Sequence, residues 1–541
     1  MKLRKHLLPL SLLTLLNFSP ILLAEPDEDK SPPDKDKQEE SSLRESTSNA
    51  ASSDDGKGQK APDKKDSEKP EKPEKPKASK GSVKIGGTEI HYVTDTGTMP
   101  ILKDDGKVRA NVFYVYYAAT DAKGKRLSES TPRPITYCFN GGPGSSAVWL
   151  HLGGLGPKRV DTALDNRKPV PVANLVDNAN SILDSTDLVF IDPVSTGLSR
   201  AAKGEKEDQF YGVNEDIESV GEFIRLFTTR EQRWNSPKYL CGESYGVIRA
   251  AGLADYLQDK HSLYCNGLIL VSGLLNFQTL CAATGNDLPY ILDLPAYTAT
   301  AHYHKKLAPD LQADLDKAVS EARKFAFGDY TLALFKGNAL GAEDRKAIAA
   351  KLARLTGLQE DLILDHELRI DSGLFRRMLL KKEGKILGGY DGRVTGDDGV
   401  QTQDGPEFDP SASFVRGAIS AAVNAYVRTN LAYESDNPYR VMAPLPWRYN
   451  SYGNRYVSME QKLASAIKEN PALRVLVMTG RRDLVVPEET MRYSVDHLPL
   501  PESLRGNIQF AEYEGGHMMY FNPPDAVKAH KDISEFIRGS R

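Results

Sequence analysis

A chain of 541 residues with 70 basic and 74 acidic side chains carries a formal net charge of −4, so it lacks the cationic excess that nucleic-acid binding draws on. The length suffices for more than one domain and for a large buried core. The cysteines Cys138, Cys241, Cys265 and Cys281 form no closely spaced pair and fit no zinc pattern. There is no H-E-x-x-H helix and no phosphate-binding P-loop, so no metal or other cofactor is expected.

The chain opens on a basic hexapeptide, "MKLRKH", followed by the apolar "LLPLSLLTLLNFSPILLA". This is the pattern of a secretory signal (residues 1–24) cut near Ala24, and it implies a secreted or periplasmic protein. Pro9, Asn17 and Pro20 shorten the apolar span, which disfavours a membrane anchor, and no later stretch is apolar enough to cross a bilayer. No cysteine stands directly after Ala24 to accept a lipid. Residues 25–80, ending in "KPEKPEKPKASK", are nearly all charged, Ser, Pro, Gly or Ala. They cannot bury enough apolar surface to offset ordering entropy and read as a hydrated, semi-extended tether.

From residue 82 the texture changes. "VKIGGTEIHYVTD" alternates around a Gly-Gly turn and predicts a hairpin, and "RANVFYVYYAA" predicts a further strand. Short apolar runs then alternate with helical patterns: "ITYCF" (135–139), "DLVFID" (187–192), "KYLC" (238–241) and "GLILVSG" (267–273). Between them, residues 214–227 place Ile217, Val220, Ile224 and Phe227 on one helical face. Strands alternating with helices imply an α/β protein with a mostly parallel sheet flanked by helices. Residues 278–444 break the alternation. "LQADLDKAVSEARKFAF" and "AEDRKAIAAKLARL" are amphipathic helices with no strand expected between them, so this segment reads as an inserted helical cap. The sheet pattern resumes with "LRVLVMTG" (473–480) and "NIQFAEYEGG" (507–516), and the last helix is "PPDAVKAHKDISEFIRG". The core is thus expected in two parts, 81–277 and 445–541. Cys138 and Cys241 end strand-like runs and are expected as buried thiols, with any disulfide pairing left open.

Chemistry concentrates at "CGESYG". Gly242-Glu243-Ser244-Tyr245-Gly246 follows an apolar strand and precedes the helical "VIRAAGLADYL", the context of a sharp strand-to-helix turn that lifts a nucleophilic serine above a sheet. A serine needs a base, and the base needs an orienting group. Asp483 and His517 each fall just past a later apolar strand, giving the chain order Ser, Asp, His. Asp496 and His497 are rivals, but they follow a helical run. After the strand "ITYCF" comes "NGGPGSS" (140–146), whose glycines can aim backbone N–H groups at an oxyanion. "HYH" at 302–304, on a helix, reads as surface.

"NGGPGSS", "DPVSTGLS" (192–199), "GESYG", "TGRRDLVVP" and "GGHMMYFNPPDA" together resemble the serial signatures of the serine carboxypeptidases, a family of α/β-hydrolases, from about residue 85 to the C-terminus. A bacterial-type secreted member is implied. The resemblance implies Ser244 as nucleophile, His517 as general base and acid, and Asp483 as orienting acid. It implies the backbone N–H groups of Gly142 and Tyr245 as oxyanion donors. Asn140, the backbone of Gly141 and Glu243 would hold a substrate carboxylate, so the implied partner is a peptide with a free C-terminus. The chain departs from the family at Cys138, where an aromatic is usual, and at Ser145, where a cysteine is usual. It departs again at Gly154, in a stretch that should supply a second acid sharing a proton with Glu243. An esterase or acyltransferase on the same scaffold, and a binding protein with a dead site, are the alternatives to a secreted serine carboxypeptidase.

Overall fold

In a computed structural model, residues 75–162, 171–399, 405–449 and 453–540 are described. The leader and nearly all of the tether lie outside the described residues. Among the described residues, nine strands make the body of one sheet: β1 (Lys77–Ile85), β2 (Thr88–Leu102), β3 (Val108–Thr120), β4 (Ile135–Phe139), β5 (Asp187–Ile191), β6 (Lys238–Glu243), β7 (Gly267–Val271), β8 (Arg474–Gly480) and β9 (Ile508–Tyr513). Their order is β1-β2-β3-β5-β4-β6-β7-β8-β9, with the short Arg200–Ala201 pairing beside β3. The first three strands are antiparallel to their neighbours. From β5 to β9 every pairing is parallel. Sequential strands joined through helices give such pairings, and ligand sites then form beyond the strands' C-terminal ends.

The strand periodicity explains the layers. In β4, Ile135, Tyr137 and Phe139 point into one hydrophobic cluster, while Cys138 points into the other. In β8, Val475 and Val477 face the first cluster, Leu476 and Met478 the second. The first cluster is roofed by α1 (Val213–Arg230), whose Ile217, Val220, Ile224 and Phe227 are all buried, and by α2 (Tyr245–His261). Both sides of the sheet are therefore dry, which is why its parallel strands read as continuous apolar runs.

The hairpin turns at Gly86 and Gly87, with φ of +54° and +87°, a geometry that glycine adopts without a Cβ penalty. β1 reaches back to Lys77, into the end of the segment read as tether, because Lys77 to Lys80 pair with Thr96 to Val93 of β2. Backbone pairing needs no apolar side chain, and lysines suit an edge strand.

The segment 278–444 is not uniform. Its helices α3 (Leu288–Tyr303), α4 (Leu315–Phe325) and α5 (Ala342–Thr356) pack into a separate third cluster. In contrast, α6 (Pro410–Thr429) buries Phe414, Val415, Ile419 and Val423 in the second cluster, against the sheet. The segment also contains a two-stranded ladder, Lys385–Leu387 with Thr395–Asp397, where no strand was expected. Strands this short leave no periodicity to read. His304 is half-buried, its Nε2 2.7 Å from the Gly392 carbonyl.

Candidate active site

The parallel strands end on one edge, and the residues singled out from the sequence collect there. Beyond β6, Ser244 takes φ +61° and ψ −127°, and α2 starts at the next residue. That conformation costs a non-glycine residue about 1–3 kcal/mol and persists only where the surroundings enforce it. Here the Ser244 N–H donates to the Val271 carbonyl of β7 at 2.9 Å, and its carbonyl accepts from the Val247 N–H at 2.9 Å. The elbow's glycines are needed for close approach. A Cβ on Gly242 would lie 2.1 Å from the Gly246 carbonyl oxygen, and one on Gly246 would lie 2.9 Å from that of Phe139.

Just past β8 and β9, Asp483 and His517 meet: His517 Nδ1 is 2.7 Å from Asp483 Oδ2, and both side chains are buried. The other Asp483 oxygen accepts from the N–H groups of Val485 and Val486, each at 2.9 Å. With Nδ1 engaged, Nε2 is the ring nitrogen left to exchange a proton. Burial disfavours the imidazolium, but the carboxylates of Asp483 and Glu243 outweigh it and raise the His517 pKa above its ordinary value. Asp496 and His497 are exposed at a helix end, with His497 Nδ1 2.7 Å from the Tyr493 carbonyl.

The Gly-rich loop follows β4. The Gly141 carbonyl accepts from the Ser145 N–H at 3.0 Å, closing a turn in which Gly142 has φ +103°. Gly141 lies so near the start of α2 that a Cβ there would be 2.4 Å from the Tyr245 nitrogen. Tyr245 is the first residue of α2, so its N–H has no partner within the helix. Asn140 accepts from the Leu150 N–H at 3.1 Å through Oδ1 and also hydrogen-bonds Glu243. Glu243 is buried, and burial pushes its pKa up to about 7 against the opposing pull of His517 and of hydrogen bonds from Tyr520 and Asn140. The Tyr520 hydroxyl donates to Glu243 Oε2 at 2.7 Å.

Two braces escaped the sequence reading. The loop 388–393, "GGYDGR", hangs from the short ladder. The Tyr390 carbonyl accepts the His517 N–H at 2.6 Å, the Gly389 carbonyl accepts the Leu484 N–H at 2.9 Å, and Asp391 Oδ2 accepts the Gly516 N–H at 3.2 Å. The Tyr390 ring stands edge-on to the imidazole, centroids 5.2 Å apart. The extended run 440–443 ties the glycine-rich motifs together through Arg440–Gly197 and Ala443–Gly144 backbone bonds. Beneath, Asp192 accepts from the Ala147 N–H at 2.9 Å. The only signal for the first brace is its glycine-rich turn between two short apolar runs.

Comparison with known proteins bears on this arrangement. The family model described as serine carboxypeptidase matches residues 96–368. The chain belongs to the serine carboxypeptidase family. It is thereby a hydrolase of the serine-carboxypeptidase type, on an α/β-hydrolase fold. Among solved structures it is similar to Kex1(delta)p, a prohormone-processing carboxypeptidase from Saccharomyces cerevisiae. That likeness has 17% identity and a TM-score of 0.50, over 83% of this chain and 92% of that one. A proline iminopeptidase from Mycobacterium smegmatis matches at 13% identity and a TM-score of 0.32, over 85% of this chain and 98% of that one. No curated protein matches the sequence.

The chain's departures from the family pattern have visible surroundings. Cys138 of β4 sits in register with Cys241 of β6; both are buried and neither is in a disulfide. Ser145 Oγ accepts the Trp149 indole N–H at 3.1 Å. Gly154 lies in the helical turn Trp149–Leu155, directly against the ring of Tyr520.

Proposed function

We propose that the chain is an exported carboxypeptidase that releases C-terminal residues from peptides through an acyl-enzyme on Ser244. The observation that carries this reading is the buried His517–Asp483 pair, 2.7 Å apart, at the same sheet edge as the strained Ser244. Export rests on the leader's composition, and the opportunity for peptide hydrolysis on the family.

In this reading Ser244 Oγ attacks the scissile carbonyl carbon and its proton passes to His517 Nε2. Asp483 keeps the imidazole's Nδ1–H oriented and stabilises the imidazolium. The carbonyl oxygen gathers negative charge and accepts hydrogen bonds from the N–H groups of Gly142 and Tyr245. The C–N bond breaks as His517 returns the proton to the leaving amine, and water then hydrolyses the acyl ester with the same base. Asn140, the Gly141 N–H and Glu243 receive the substrate's terminal carboxylate. Two anions cannot share that space, so Glu243 must be protonated to donate. A carboxyl with a pKa of about 7 holds its proton under mildly acidic conditions.

Two measurements test the reading. A serine-directed phosphonate should label the protein and fail to label Ser244→Ala; an unlabelled parent would favour the dead-site alternative. A free-acid peptide should be cleaved faster than its matched amide or ester at acidic pH. Equal or preferential turnover of the ester would favour the esterase or acyltransferase alternative.

A further inference from the structure

We infer that Tyr520 is the positioning residue for Glu243, standing where the family pattern expects a second acid, and that it tunes how this site recognises a substrate carboxylate. The inference rests on the proposed carboxypeptidase reading. Its basis is a steric relationship as well as a hydrogen bond. A Cβ at Gly154 would meet the Tyr520 side chain at 2.8 Å from Cγ and 3.1 Å from Cβ. A Cβ at Gly153 would lie 2.7 Å from Tyr520 Cε2 and 3.0 Å from Phe521 Cζ. The two glycines are therefore the room that the ring occupies, and no side chain can project from Gly154 while Tyr520 is there. The ring's hydroxyl then does what the absent side chain would have done: it reaches Glu243 Oε2 at 2.7 Å in a buried setting.

The substitution changes the chemistry. A second carboxyl would repel an ionised Glu243 and could take either end of a shared proton. A phenol buried so that its own ionisation is suppressed brings no negative charge and has a single proton, which it donates to Glu243. It fixes one carboxyl oxygen, favours the carboxylate form, and leaves the proton on Glu243, when present, for the substrate. The other groups facing Glu243 are Asn140 from the loop after β4, Asp483 from the loop after β8, His517 from the loop after β9, and Tyr390 from the brace 388–393. The neighbouring charges are thus His517, which favours ionised Glu243, and Asp483, which opposes it; Asn140 and Tyr520 are its two neutral donors.

The test compares the full-length parent with Tyr520→Phe, which keeps the ring and removes only the hydroxyl. Each is assayed for kcat and KM from acidic to alkaline pH on one peptide and on its C-terminal amide. At acidic pH the variant should raise KM for the free-acid peptide by roughly three- to tenfold, the loss of one neutral hydrogen bond to a positioning group, with kcat little changed. Its alkaline fall for that peptide should move to higher pH, because the donor that favoured the carboxylate is gone. The amide should be cleaved as by the parent, which also reports that the fold is intact. A variant with the parent's KM and pH profile on the free acid would overturn the inference while leaving the carboxypeptidase reading standing. Equal losses on peptide and amide would overturn it too, as a general packing defect. A parent that shows no preference for the free acid at acidic pH would overturn the reading and this inference together.

Discussion

The backbone N–H of His517 donates to the Tyr390 carbonyl across 2.6 Å, so a residue from the inserted segment holds the histidine's loop in place. The brace that contains Tyr390 is held in turn by Asp391, which is buried, paired with Arg393, and accepts from the Gly516 N–H. The insertion is therefore part of the site's support.

Asp391→Ala should accordingly act at a distance from the reacting atoms. It leaves the Gly516 N–H without its acceptor and the Arg393 guanidinium without its carboxylate. We expect a stability loss of about 2–4 kcal/mol. We also expect kcat to fall roughly ten- to hundredfold as His517 drifts from its place. Urea unfolding and steady-state kinetics check both. A variant destabilised as expected but with unaltered kcat would mean that the brace supports the fold and not the histidine.

Ser244→Ala should abolish turnover without unfolding the protein. The elbow's geometry is held by backbone bonds to Val271 and Val247 and by the glycines around it, none of which involves the hydroxyl. Residual activity should be about a thousandfold or more below the parent, the part that oxyanion donors and binding can supply alone. Alanine also meets the same positive φ as serine, so the melting temperature should change little. Retained hydrolysis in the purified variant would displace Ser244 from its assigned role.

Much of this architecture was legible because parallel strands buried on both faces must be apolar throughout. "ITYCF" coincides with β4, and "DLVFID" with β5 except for its last residue, for that reason. The amphipathic pattern of residues 214–227 fell inside α1, and the order of Ser244, Asp483 and His517 along the chain put each beyond a strand end. What stayed hidden depends on contacts between distant segments. The ladder at Lys385–Leu387 is too short to show a period, and the run 440–443 is shaped by backbone bonds to Gly144 and Gly197. Tyr520 sat in view within "GGHMMYFNPPDA", but its relation to Gly154 exists only once the chain has folded.

In the proposed reading, Glu243 would link substrate binding to stability. Its pKa in the fold is about 7, above its ordinary 4.5. A carboxyl raised in this way stabilises the fold fully below 4.5, and that contribution is lost as pH rises through 7. Glu243→Gln keeps an acceptor for the Tyr520 hydroxyl and carries no charge at any pH. The variant and parent should unfold at similar urea concentrations near pH 4.5, and the variant should gain on the parent at pH 8.5 by roughly 1–3 kcal/mol. Parallel stability curves across this range would mean that Glu243 is ionised in the fold as readily as in water.

The last expectation concerns Arg249, which underlies the whole elbow. Its side chain is buried, with Nε 2.8 Å from Asp216 Oδ2 and Nη1 donating to the Asn140 carbonyl at 2.6 Å. Its guanidinium carbon lies 5.3 Å from the Phe139 ring centroid and 5.5 Å from that of Tyr245. One cation thus touches the end of β4, the Gly-rich loop and the first residue of α2. Asp216→Ala strands that cation, and breaking a buried pair from one side should cost about 3–5 kcal/mol. Replacing both partners by apolar residues, Asp216→Leu with Arg249→Met, removes the buried charges together and should recover most of that loss. It cannot restore the hydrogen bond to the Asn140 carbonyl. The double variant should therefore be stable yet bind free-acid peptides poorly, with a raised KM, because Asn140 is no longer anchored beside Glu243. A double variant with the parent's KM would show that the Gly-rich loop holds its shape without Arg249, and would leave the ion pair a purely structural role.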